Sequence, residues 1–344
     1  MRQLYTLLMA GLALSAGNGL AQQRPTDGPY KVLRTAKVGG EGGFDYVYAD
    51  TDERRLYVPR SGPSNRISIY DLGTLQPVGE IPDVGAHGVA VDPKSHHGFS
   101  TSKPVVMWDT ASLKTIKTID VQGNPDGLLF DSFNQRIYIL SHAAPNVTVI
   151  DSKDGSVAGT LDLGGAPEQA ASDGEGHIYI DVEDKSNVAV VDAKTMQVSA
   201  HFDLVNNKTP AGLALDAKNQ ILFAACRNPA VIVIMSAQTG RIITTLPIGS
   251  GVDGAGFNPE TMEAFSSQGD GTLTVIKEKS PSDFEVEQNV TTMPSAKTMT
   301  IDKKTNHVLL IGAEFGAAPA PAPGERPRRG PLVPGSFSII EIGK

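Results

Sequence analysis

The chain has 344 residues, 30 Lys plus Arg against 38 Asp plus Glu, a formal net charge of −8 and one cysteine, Cys226. A single cysteine excludes an intramolecular disulfide, a CxxCH haem attachment and any cysteine-rich zinc site. The acidic balance argues against nonspecific nucleic-acid binding, which needs a basic surface.

The first residues read as a targeting segment. Met1-Arg2-Gln3 puts a positive charge before a mostly apolar run from Leu4 to Ala16, and Gly19-Leu20-Ala21 offers small residues at the cleavage positions. That run is too short to span a bilayer, and no later stretch is long and apolar enough to do so. The expectation is a signal peptide over residues 1–21, a short linker over 22–29, and an exported protein, periplasmic or secreted, that is monomeric.

From residue 46 onward a phrase recurs seven times: an acid, an aromatic six or seven residues later, and a hydrophobic run ending in Asp. Its leading residue is Asp50, Asp92, Asp131, Asp173, Asp216, Asn258 and Asp302, a spacing of about 42. Repeats of about 40–45 residues with several short strands each signify propeller blades. The third unit gives the strands: Gly127 to Phe130, Arg136 to Leu140, Val147 to Ile150 and Ser156 to Leu163, all rich in Tyr, Ile and Val. The predicted fold is therefore all-β, a single seven-bladed β-propeller over residues 30–344 with four antiparallel strands per blade.

The repeated residues belong to the scaffold. The aromatic position holds Tyr57, Phe99, Tyr138, Tyr179, Phe223 and Phe265, with Leu309 in the seventh place. Seven copies suit a core between blades better than a ligand ladder. The acids ending the third strands, such as Asp71 and Asp151, are followed by Thr, Ser or Gly and suit side-chain-bonded turns.

The seventh unit lacks a fourth strand, because only a few residues follow Ser336 to Ile342. Tyr30 to Val38 resembles the other fourth strands, and pairing it with the last blade closes the ring and hides two edges. The same blade carries a Pro-rich insertion, 313–335, which could fold over the top face as a lid that brings Arg326, Arg328 or Arg329 to it, or equally serve as a disordered flap or a docking strap for a partner.

The units RLYVPRSGPSNRISIYDLGTLQPVGEI and RIYILSHAAPNVTVIDSKDGSVAGTLDLGGAPEQ resemble the YVTN repeat. The chain is similar, over about 300 residues, to the YncE-like exported seven-bladed β-propellers. That resemblance implies a binding or scaffolding role, with nucleic-acid binding reported for some members. Related propellers include lactonases, lyases and quinoprotein dehydrogenase heavy chains. The fifth and sixth units depart from the motif at Met235-Ser236 and Ile276-Lys277.

Function should lie where the repeat breaks. Five residues before each leading residue, at the start of the innermost strand, stand Asp45, His87, Asp126, Glu168, Ala211, Asp253 and Lys297. Asp45, His87, Asp126 and Glu168 fall on consecutive blades. Oxygen ligands with an imidazole suit Ca²⁺, Mg²⁺ or Mn²⁺. A hydrated polar channel mouth, a cation or cationic-ligand site, and acid–base catalysis of lactonase or lyase type compete for this arc. Arg60, Lys103, His142, Glu183 and Arg227, on the loops after the second strands, form a second layer able to contact a polar or anionic small molecule, or a protein, on the same top face. His96 and His97 fall on the opposite face. The chain carries no nucleophile elbow, P-loop, dinucleotide fingerprint or HExxH motif.

Overall fold

The seven units each fold into a four-stranded antiparallel sheet. The computed structural model describes residues 27–319 and 330–344. The expected signal peptide, most of the linker and the arginines of the proposed lid lie outside the described residues. In sequence order the innermost strands are Tyr48–Asp50, Val89–Asp92, Pro125–Asp131, Pro167–Ser172, Lys208–Asp216, Val252–Asn258 and Thr298–Asp302. The one helical element among the described residues is a 3₁₀ turn, Glu183–Lys185.

The last blade is closed as the repeat count requires. Lys31–Lys37 pairs antiparallel with Ser338–Gly343, from Lys31 opposite Gly343 to Lys37 opposite Ser338. Ser338–Gly343 then pairs with His307–Gly312, which pairs with Thr298–Asp302. A side-chain lock reinforces this clasp. Gln288 of the sixth blade accepts from Tyr30 N at 2.9 Å and donates to Tyr30 O at 2.7 Å. The Tyr30 hydroxyl donates to Glu263, a fully buried carboxylate that also takes the Lys344 ammonium at 2.8 Å.

Each repeated aromatic position, or Leu309, falls in its own hydrophobic cluster, and each cluster lies between two adjacent blades. Tyr57 packs with Val91 and Trp108 of the second blade, and Tyr138 with Ile178 and Ile180 of the fourth. All seven side chains are buried, as inter-blade packing demands. The leading acids bind turn amides, as in Glu53 N to Asp50 at 3.1 Å. Several also cross to the next blade: Asp92 accepts from Ser152 at 2.7 Å, Asp131 from Ser172 at 2.6 Å, and Asp302 from Arg54 at 2.6 Å. These acids thus both cap turns and pin neighbouring blades together.

The innermost strands approach closely around the axis. A Cβ on Gly127 would lie 2.4 Å from the Glu168 carbonyl oxygen, and one on Gly212 would lie 3.0 Å from the Gly254–Ala255 peptide. Only glycine tolerates that approach, which draws the residues just before these glycines toward one another. The Pro-rich insertion begins as a short ladder, with Gly316 N bonded to Pro331 O at 2.8 Å and Val333 N to Glu314 O at 2.9 Å.

Candidate functional site

The top face is defined by the loops that lead into the innermost strands, and there the side chains of the irregular positions meet. His87 Nδ1 lies 2.9 Å from Asp45 Oδ2 and 3.1 Å from Asp126 Oδ1. The other Asp126 oxygen lies 3.2 Å from His142 Nε2, which stands 3.9 Å from Glu168 Oε2. Arg227 continues the sequence, 3.9 Å from Glu168 and 2.5 Å from Glu183, and its other nitrogen binds Asp253. Lys297 binds Asp253 and lies 3.8 Å from Asp45, which closes the circle.

Four acids thus alternate with four bases around the mouth: Asp45, His87, Asp126, His142, Glu168, Arg227, Asp253 and Lys297. Every blade contributes. In the fifth, the ring position is Ala211, and Arg227 from the second strand, Ile221–Asn228, supplies the charge instead. Arg227 is anchored by its Nε, which donates to Val252 O at 3.0 Å.

The ring is polarised. On one side, two His–carboxylate triads share Asp126: Asp45 with His87, and His142 with Glu168. In each triad one ligand atom per residue lies within 4.8 Å of the others, a spacing that could hold a metal ion. On the other side stand the permanent cations Arg227 and Lys297. Asp126 and Glu168 are buried, whereas the exposed edges of His87 and His142 look to solvent.

Burial, then the neighbouring Asp181, Asp253, Asp126 and Glu183, push Glu168 up to about 9. Burial likewise raises Asp126, with Asp45 adding to it. The bond to Asp45 holds His87 above its ordinary value against the opposing effect of burial. Burial acts to lower Lys297 and Arg227, but their carboxylate neighbours, Asp253 foremost, outweigh it and keep both above their usual range.

The structure brings together all of the expected ring residues, and His142 and Arg227 with them. Glu183 joins through Arg227. Arg60 does not join: its side chain is fully buried, its guanidinium stacks 3.6 Å above the Phe337 ring, and it donates to Gly39 O and Glu41 O. Burial lowers it to about 10, which leaves it charged but occupied in holding the loop before the first blade. Lys103 donates to Gly123 O at 2.7 Å. His96 and His97 bind Glu53 and Ser152 O respectively and do not face one another.

Three residues here escaped sequence reasoning. After the ring position, four of the blades carry glycine (Gly88, Gly127, Gly212 and Gly254). The first and fourth blades carry Tyr46 and Gln169 instead, and these cross the channel. The Tyr46 hydroxyl donates to Glu168 Oε2 at 3.0 Å, from the first blade to the fourth. Gln169 accepts from Leu213 N and Ala255 N at 3.0 Å and donates to Ala255 O at 3.0 Å, tying the fourth blade to the fifth and sixth. Together they form a partition directly beneath the charged ring. That break in the glycine pattern was the available signal. Asp181 lies behind the partition, wholly buried, and accepts from Gln169 N at 2.6 Å. Burial pushes it up to about 7.

Among known proteins, no family model matches. The chain is 25% identical over 195 residues to the uncharacterised protein YncE of Salmonella typhi, and equally to that of Salmonella typhimurium; the match covers 53% of this chain. The chain spans about half the length of these curated relatives, 53%. Its fold superposes on a chain of the mitotic checkpoint complex with a TM-score of 0.71 at 13% identity, covering 90% of this chain and 95% of that one. It superposes equally well on the WD40 repeats of RRP9, with a TM-score of 0.71 at 12% identity over 93% and 99% of the two chains. These structures share the architecture alone. No helix among the described residues is long and apolar enough to cross a membrane. The chain is a seven-bladed propeller scaffold, similar in sequence to YncE.

Proposed function

We propose that this propeller is an exported binding protein whose site is the charged ring at the top of the channel. The arc Asp45–His87–Asp126–His142–Glu168 takes a divalent cation, Ca²⁺, Mg²⁺ or Mn²⁺. Arg227 and Lys297, opposite, receive an anionic group carried by the ligand that accompanies it. One observation carries this reading: two His–carboxylate triads share the two oxygens of one buried aspartate, at positions the repeat leaves free to vary. A cation there would neutralise carboxylates that burial otherwise opposes ionising.

Isothermal titration of chelator-treated protein with Mn²⁺, Ca²⁺ and Mg²⁺ tests the reading. Saturable binding is expected for at least one ion, lost in Asp126→Asn and weakened in His87→Ala. No heat and no thermal shift with any of the three would end the cation reading. The desolvated pair Asp126 and Glu168 favours one competitor, a lactonase-like centre at the same arc. Cation-dependent hydrolysis of simple lactones that vanishes in Asp126→Asn would replace binding with catalysis. Export rests on residues 1–21, and N-terminal sequencing of the protein recovered outside the cytoplasm should begin near Gln22.

A further inference from the structure

Below the partition the channel widens into a chamber of about 540 Å³. Its lower rim is formed by turns of the bottom face, including Asp52, Pro93 and Lys303. Its upper end is closed by Tyr46, Glu168 and Gln169. Between these levels the walls are mostly apolar, with Asp50 at the foot of the first innermost strand as the charged side chain among them; they present Tyr48, Leu128, Phe130, Phe257, Met299 and Ile301, most of them only half-buried. The chamber is thus chemically unlike the ring above it, and the partition separates the two.

We infer that this chamber is a second binding site, for a neutral, flat aromatic molecule that enters from the bottom face. Its volume falls within the roughly 300–1,000 Å³ of small-molecule sites, and its walls combine apolar side chains with few polar groups, as such sites do. The innermost strands are also sheet edges, so their unpaired peptide groups border the chamber and supply donors and acceptors to a polar rim on the ligand. A charged ligand is disfavoured, because the charged groups lie at the chamber's two ends, Asp50 is already bonded to the Glu53 amide, and burying an unpaired charge among the apolar walls is costly. The aromatic and thioether walls, Phe130, Phe257, Tyr48 and Met299, favour a ring over a flexible chain.

The probe is N-phenyl-1-naphthylamine, uncharged at pH 8 and fluorescent when removed from water. Titration into the whole protein should give saturable binding at one molecule per chain. Gly256→Val adds bulk at a channel-facing position, where the added Cβ meets only the flexible ends of Ile301 and Met299 at 2.9 and 3.0 Å. It should weaken the probe at least tenfold, and Ala170→Leu, also on the wall, should act in the same direction. Asp126→Asn, in the ring above, should leave probe affinity unchanged while abolishing cation binding, which keeps the two sites distinguishable. Absence of saturable binding, or wild-type affinity in both wall variants, would overturn the inference. If either variant unfolds, a crystal structure of the wild-type protein with the probe decides, by density inside the chamber or elsewhere.

Discussion

Replacing Arg227 by Met tests whether the ring is a cooperative electrostatic unit. Met keeps an apolar stem and removes the guanidinium. Asp253 loses a partner while buried, Glu183 loses its contact at 2.5 Å, Glu168 loses a cation at 3.9 Å, and the Val252 carbonyl loses a donor at 3.0 Å. Breaking a buried pair by removing one partner costs about 3–5 kcal/mol. Asp253 keeps Lys297, and Glu183 is about a quarter exposed and can turn to water, so the lower end applies. The lost bond to Val252 adds about 1 kcal/mol, for a total of about 4 kcal/mol. Urea denaturation at pH 8 measures this, with Lys279→Met as control. Lys279 pairs with Glu285 at 2.6 Å, but both side chains are about half exposed, so its loss should cost far less than that of Arg227. A deficit no larger than the control's would refute the reasoning.

Glu168→Gln should grow steadily more favourable than wild type as pH rises from 5 to 9 in the presence of chelator. Burial holds the folded carboxyl near 9, above its value in the unfolded chain, so wild-type stability is lost as pH climbs through that window; a gap that does not widen counts against a desolvated Glu168. At the clasp, Tyr30→Phe deletes the hydroxyl bonded to buried Glu263 and should cost about 1.5–3 kcal/mol by denaturation. Removing residues up to 38 strips the outer strand from the last blade and should lower the melting temperature of the whole ring; an unchanged melting temperature would contradict the closure.

The fold was legible because the repeat is a physical periodicity. Each unit has to bury Tyr57 or its counterparts against the next, so the same residues recur and a missing fourth strand has to be supplied by Tyr30 to Val38. The ring was legible in part, since Asp45, His87, Asp126, Glu168, Asp253 and Lys297 share one register and a closed ring brings shared registers together. Arg227 and His142 came from a different loop set, and nothing local in the sequence showed that Arg227 would fill the place that Ala211 leaves uncharged in the fifth blade. Arg60 had the same loop placement as Arg227, yet Phe337, far away in sequence, captures it. That packing depends on how the last blade meets the first, which residue spacing does not encode. Tyr46 and Gln169 were hidden for a simpler reason: both read as ordinary strand residues until the neighbouring glycines are seen to make the axis too narrow for a side chain.

The most direct test of the channel-mouth site is the anomalous scattering of Mn²⁺ in crystals of the chelator-stripped, reloaded protein. The account predicts a peak within about 2.0–2.6 Å of an Asp126 oxygen, on the side of His87 or of His142. Density at full Mn²⁺ occupancy elsewhere on the molecule, with the ring closed on its own ion pairs and no peak beside Asp126, would contradict it.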